Sequence, residues 1–90
     1  MRELKLDVKS LYPDLTQTTP YDYSILVDEM PVGGFACESY GVRITSQVTG
    51  EQADIPNLTV SISRIDDLMD KLVRNNVSPI HLHDVVEDWL

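Results

Sequence analysis

Ninety residues with 15 acidic and 7 basic side chains give this chain a formal net charge of −8 at neutral pH. The length suffices for one core that buries roughly 60–65% of the unfolded surface, and is too short for a core plus a deep, walled reaction chamber. Acids lie in both halves and Lys and Arg are scattered. Direct nucleic-acid binding is therefore disfavoured, since counterion release needs grouped cations. The charge favours a basic protein surface or mimicry of nucleic acid by carboxylates.

Cys37 is the one cysteine, so an intramolecular disulfide and a cysteine-rich zinc site are both excluded. A lone thiol suits the reducing cytoplasm. The opening Met1 to Asp7 lacks the apolar run of a signal peptide, and no stretch approaches the ~18 apolar residues of a membrane span. The expectation is a single small α+β domain over residues 1–90, cytoplasmic and without a membrane partner.

Leu4, Leu6 and Val8 alternate with charged residues, which predicts a short, half-buried edge strand. Pro13 to Pro20 is a polar, Thr-rich connection. Tyr21 to Glu29 predicts the next strand, with Tyr21, Tyr23, Ile25 and Val27 on one face and a mostly wet face of Asp22, Ser24, Leu26 and Asp28 opposite. Pro31 and Gly33-Gly34 are expected to break the chain, with Phe35 and Cys37 at the rim of that turn or at the start of the next strand. Glu38 to Val48 alternates again, placing Tyr40, Val42, Ile44 and Val48 together. Gly41 inside this pattern points to a bulge or a close backbone approach. A loop is expected from Thr49 to Pro56, and Leu58, Val60 and Ile62 form the last predicted strand.

The closing third is the most legible. Ser63 is a candidate helix cap, with Asp66 and Asp67 in the favourable first turn. Ile65, Leu68, Met69, Leu72 and Val73 form one apolar stripe. Lys71 and Arg74 suit the last turn, and Asn75-Asn76 a left-handed stop. A second helix starts almost at once, with Ser78 as cap, Pro79 at the first position and Val77 and Leu82 as a hydrophobic staple. Its stripe is Leu82, Val85, Val86, Trp89 and Leu90. Asp84, Glu87 and Asp88 fall towards its negative end, against local helix physics. The predicted fold class is α+β: an antiparallel sheet of three to four strands followed by two C-terminal helices packed on one face.

The densest polar cluster is His81, His83, Asp84, Glu87 and Asp88. His83 and Glu87 are four apart and His81 and Asp84 three apart, spacings that share a helix face. The pattern is neither His-Glu-x-x-His nor His-x-His-x-Asp-His, and the bland reading has His81 hydrogen-bonded locally and His83 solvated. Cys37 lacks a catalytic signature, Gly33-Gly34 lacks the spacing of a phosphate loop, and the helix pair lacks a basic recognition face. No catalytic, cofactor-binding or metal-ligating residue is assigned, and no cofactor is expected. Trp89, Leu90 and the open sheet edges leave a homodimer as one arrangement.

Asn75-Asn76-Val77-Ser78-Pro79-Ile80-His81-Leu82, followed by Asp84-Val85-Val86, resembles the ending of an uncharacterised family of short proteins from clostridial-type Gram-positive bacteria, classed as a domain of unknown function. Tyr40-Gly41-Val42 and the Tyr21 to Ile25 strand are similar to its strand motifs. The resemblance implies a cytosolic bacterial protein and confers no catalytic residue. The functional expectation is a non-enzymatic protein–protein interaction or regulatory module whose surface contains His81, Asp84, Glu87 and Asp88. The alternatives are a small metal- or ligand-binding protein using the same cluster, and an acidic nucleic-acid mimic.

Overall fold

The computed structural model describes residues 1–14 and 20–90, and of Val32 the backbone alone. The expected Pro13 to Pro20 connection falls largely outside the described residues. Strands β1 (Arg2–Lys5), β2 (Tyr21–Val32), β3 (Phe35–Ser46) and β4 (Gln52–Thr59) form one antiparallel sheet in chain order. Between β1 and β2 lies a one-turn helix, α1 (Val8–Leu11). After β4 come α2 (Ile62–Arg74), a 3-10 turn at Pro79–His81, and α3 (Leu82–Trp89). The α+β class and the helices on one sheet face are as expected. Val8 is not in a strand: Asp7 caps α1 through its carboxylate, which accepts from Ser10 N.

The long central hairpin follows from its turn. Gly33 and Gly34 take φ of 56° and 85°, the two positive angles that a type I′ turn demands. The register then runs without a slip from Val32 opposite Phe35 to Tyr21 opposite Ser46. Pro31 does not break β2. In a two-residue hairpin Val32 and Phe35 exchange backbone bonds, so the nitrogen of Pro31 faces away from β3, where no ladder bond is lost. Both strands therefore run further towards the turn than expected. At its other end β3 stops at Ser46, leaving Val48 82% exposed.

Gly41 meets both expectations at once. Between the pairs Val42 to Ile55 and Tyr40 to Thr59, three β4 residues oppose this one glycine. The bulge carries Asn57 at φ 57° and lays the backbone of Ile55 and Pro56 on Gly41. Gln52 to Pro56 is therefore strand rather than loop. Val60 and Ile62 leave the sheet and stand 65% and 59% exposed.

Ser61, not Ser63, caps α2; its hydroxyl accepts from Arg64 N at 3.3 Å. This shifts the frame, so Asp66 and Asp67 fall outside the first turn. The stripe is unaffected: Ile65, Leu68, Met69, Leu72 and Val73 are all buried. The stop is a Schellman motif. Val77 N donates to Leu72 O at 3.0 Å and Asn76 N to Val73 O at 3.1 Å, with Asn76 at φ 51°. Ser78 has the extended backbone of a cap but makes no capping hydrogen bond, and Pro79 opens the 3-10 turn. The staple residues Val77 and Leu82 are buried together, whereas Leu90 is 72% exposed rather than part of the stripe.

The core unites Tyr23 and Val27 of β2, Tyr40, Val42 and Ile44 of β3, the α2 stripe, and Val77, Leu82 and Val86. Tyr23 is fully buried and its hydroxyl donates to Val77 O at 2.9 Å, tying the sheet to the corner between the helices. Tyr23→Phe is expected to leave that carbonyl without this donor and cost about 1–2 kcal/mol in urea unfolding. An unchanged midpoint would show that the link is not needed.

The opposite sheet face is less wet than its pattern implies, with Leu26 and Ser24 only 1% and 2% exposed. Arg43 explains this. Its guanidinium grips Asp54 of β4 through two nitrogens, at 2.8 and 3.0 Å, and donates to Glu3 of β1 at 2.8 Å. In the register Ser24 stands opposite Arg43 and Leu26 opposite Glu3, so this ion pair spans β2 beside them. Asp54 is held below its ordinary acidity range chiefly by the hydrogen bond from Arg43; burial opposes this and the guanidinium charge adds to it. A carboxyl lowered by folding stabilises above its unfolded value of about 3.9, and that contribution fades as pH falls through the folded value. Asp54→Asn should therefore weaken the protein at neutral pH and flatten its loss of stability below about pH 4. Parallel acid limbs for the variant and the parent would contradict this.

Candidate functional site

The helical layer carries the expected surface residues. Helix α3 turns Leu82 and Val86 inward with Val85 and Trp89 half-buried at their flanks. By the 3.6-residue period Asp84, Glu87 and Asp88 then share the outward face, and all three are exposed. His81 and His83 are exposed as well, at the borders of that face. His81 lies in the 3-10 turn, where its backbone N donates to Ser78 O at 3.1 Å; its ring makes no hydrogen bond among the described residues. Because α3 starts only at Leu82, Asp84 sits in the favourable first turn, contrary to expectation. Glu87 and Asp88 alone oppose the dipole.

Among the described residues most sheet carboxylates have cationic partners and those of α3 have none. On the sheet, Glu3 and Asp54 pair with Arg43, Asp22 with Lys5, and Glu38 with Arg2. On α3, Asp84, Glu87 and Asp88 make no ion pair or hydrogen bond among the described residues, and the helix contains no Lys or Arg. One cation does touch α3, through a ring rather than a carboxylate: the Arg64 guanidinium lies 4.5 Å from the centre of the Trp89 ring. Among the described residues no three His, Cys, Asp or Glu side chains are grouped as metal ligands. Cys37 sits on β3 opposite Met30, half-buried.

A second feature was not foreseen. A groove of about 390 Å³, open to solvent, runs between α1 and α2 over Leu6, Ile25 and Met69. Arg74 closes its rim, bonded to Asp70 at 2.9 Å and Asp14 at 2.8 Å, with its guanidinium 5.2 Å from the Tyr12 ring centre. Burial, then the Asp70 charge, push the Tyr12 hydroxyl up. The Arg74 to Asp70 spacing was readable as a helical i, i+4 pair. Asp14 lies 60 positions away, and only the fold brings it close.

Four strands in chain order, covered on one face by helices, define a small α+β protein with an antiparallel sheet. No helix is long and apolar enough to cross a membrane among the described residues. The chain belongs to a family of unknown function, DUF6514, whose sequence model matches residues 8–90. This agrees with the uncharacterised family expected from the sequence. No curated protein and no solved structure matches the chain.

Proposed function

We propose that this protein is a non-enzymatic interaction or regulatory module of the bacterial cytoplasm, acting by protein–protein contact. The contact surface is the outward side of α3 with its entry turn: His81, Asp84, Glu87 and Asp88. The partner presents a basic surface. The observation that carries this reading is the difference in ion pairing. Glu3, Asp22, Glu38 and Asp54 on the sheet are each matched by a cation, whereas the three α3 carboxylates are exposed, grouped and unmatched among the described residues. The compartment rests on the lone Cys37 and on the family resemblance.

Glu87 and Asp88 stand at the negative end of α3, where each costs about 0.3–1 kcal/mol. Glu87→Gln/Asp88→Asn is accordingly expected to raise the melting temperature; a lower value would mean that these carboxylates hold the fold. The function is tested with Asp84→Asn/Glu87→Gln/Asp88→Asn. Partners captured by the parent should be lost by the variant at least tenfold, and capture by the parent should weaken with salt. Undiminished capture by the variant would remove the surface assignment.

A further inference from the structure

The β2–β3 hairpin outruns the rest of the sheet. The last described β1 pair is Arg2 with Val27, and the last β4 pair is Thr59 with Tyr40. Residues 28–39 therefore form a two-stranded ribbon, at one end of a molecule 45 Å long and about 25 Å across. Its two edges differ. Backbone groups alternate along a strand between its two neighbours. On the outer edge of β2 the outward positions are Glu29 and Pro31, and Pro31 has no N–H to give. On the outer edge of β3 they are Ala36 and Glu38, each with an N–H and a C=O that find no partner among the described residues. One edge is blocked and the other can accept a strand.

The two faces of the ribbon also differ. By register, Glu29 and Glu38 are paired on the helix side. Met30 and Cys37 are paired on the other side, together with Phe35, which is 76% exposed against 39% for Met30. Arg2 bonds Glu38 from its own exposed position and leaves Glu29 without an ion pair. A strand laid on Ala36 and Glu38 would place alternate side chains beside an acidic row and an apolar row.

We infer that the β3 edge at residues 35–39 is a strand-addition site for an extended peptide segment in which Lys or Arg alternates with apolar residues. Four backbone hydrogen bonds, two from Ala36 and two from Glu38, supply the attachment, and the two faces supply the selection. The added strand continues the line that β4 abandons at Thr59 when the chain turns into α2. This site is separate from the α3 surface, and neither depends on the other.

The test uses the full chain labelled with ¹⁵N and the blocked peptide acetyl-(Val-Lys)₄-amide. In the free protein the Ala36 and Glu38 amides should exchange at nearly unprotected rates. Saturating peptide should slow both at least tenfold and shift Phe35 and Cys37. Glu29→Lys/Glu38→Lys should weaken binding at least tenfold with unchanged circular dichroism. A (Val-Glu)₄ peptide, and a (Val-Lys)₄ peptide N-methylated at alternate residues, should not protect these amides. Protection that appears without peptide as protein concentration rises would assign the edge to a second copy and overturn the proposal. Shifts confined to Asp84, Glu87 and Asp88 would also overturn it, while leaving the α3 surface standing.

Discussion

Gly41→Ala is expected to destabilise the protein by about 3 kcal/mol, at the upper end of what overpacking usually costs. The added Cβ would lie 2.5 Å from Pro56 Cα and closer still to the Ile55 carbonyl oxygen. Both obstacles are backbone, so no side chain can swing aside. Either the bulge opens or the β3–β4 ladder separates. Separation would expose Ile55 and Ala53, which pair with Val42 and Ile44 over the core. Urea unfolding gives the loss directly, and amide exchange along β4 shows where it falls. A variant within about 0.5 kcal/mol of the parent would mean that the bulge yields freely.

Leu72→Ala is expected to cost about 3–5 kcal/mol, the range for a large aliphatic side chain removed from a core that cannot collapse around the gap. Leu72 is fully buried. It also provides the carbonyl that Val77 N reaches in the Schellman motif, and Val77 O receives the Tyr23 hydroxyl. The side chain therefore lies where sheet, helix end and corner meet. A domain of this size holds roughly 5–13 kcal/mol in total, so the loss would remove a large share of its stability. Chemical denaturation measures it. A loss below about 1 kcal/mol would show that α2 is not seated on the sheet as described.

The helical third was readable because its signals are local. The apolar spacing of α2 survives a two-residue error in the cap, since Ser61 and Ser63 are equally good by type and the stripe decides which face is buried. Asn76 announces its left-handed angle by being Asn beside a helix end. The sheet was harder at its margins. Pro31 reads as a breaker until the turn fixes which strand edge its nitrogen faces. Leu58, Val60 and Ile62 keep a period of two straight through the place where the chain leaves the sheet, so alternation alone could not mark the exit. Leu26 reads as wet because the ion pair that spans β2 beside it joins Glu3 to Arg43, residues far apart in the chain.

The candidate surface was readable as residue types in a helical frame, which is why His81, Asp84, Glu87 and Asp88 emerge exposed. Their lack of cationic partners was not readable, because ion pairing on the sheet depends on contacts such as Glu3 with Arg43 that are 40 positions apart. Asp84 falls in the favourable first turn rather than towards the negative end because a 3-10 turn precedes α3 and moves the helix start to Leu82.

Site-specific photo-crosslinking tests the central claim most directly. A benzophenone amino acid placed in turn at position 84 on α3 and at position 47 near the end of the sheet, in otherwise unaltered protein within its native cells, reports which layer touches a partner. The account predicts a discrete protein adduct from position 84 that high salt prevents, and none from position 47. An adduct from position 47 alone would contradict it.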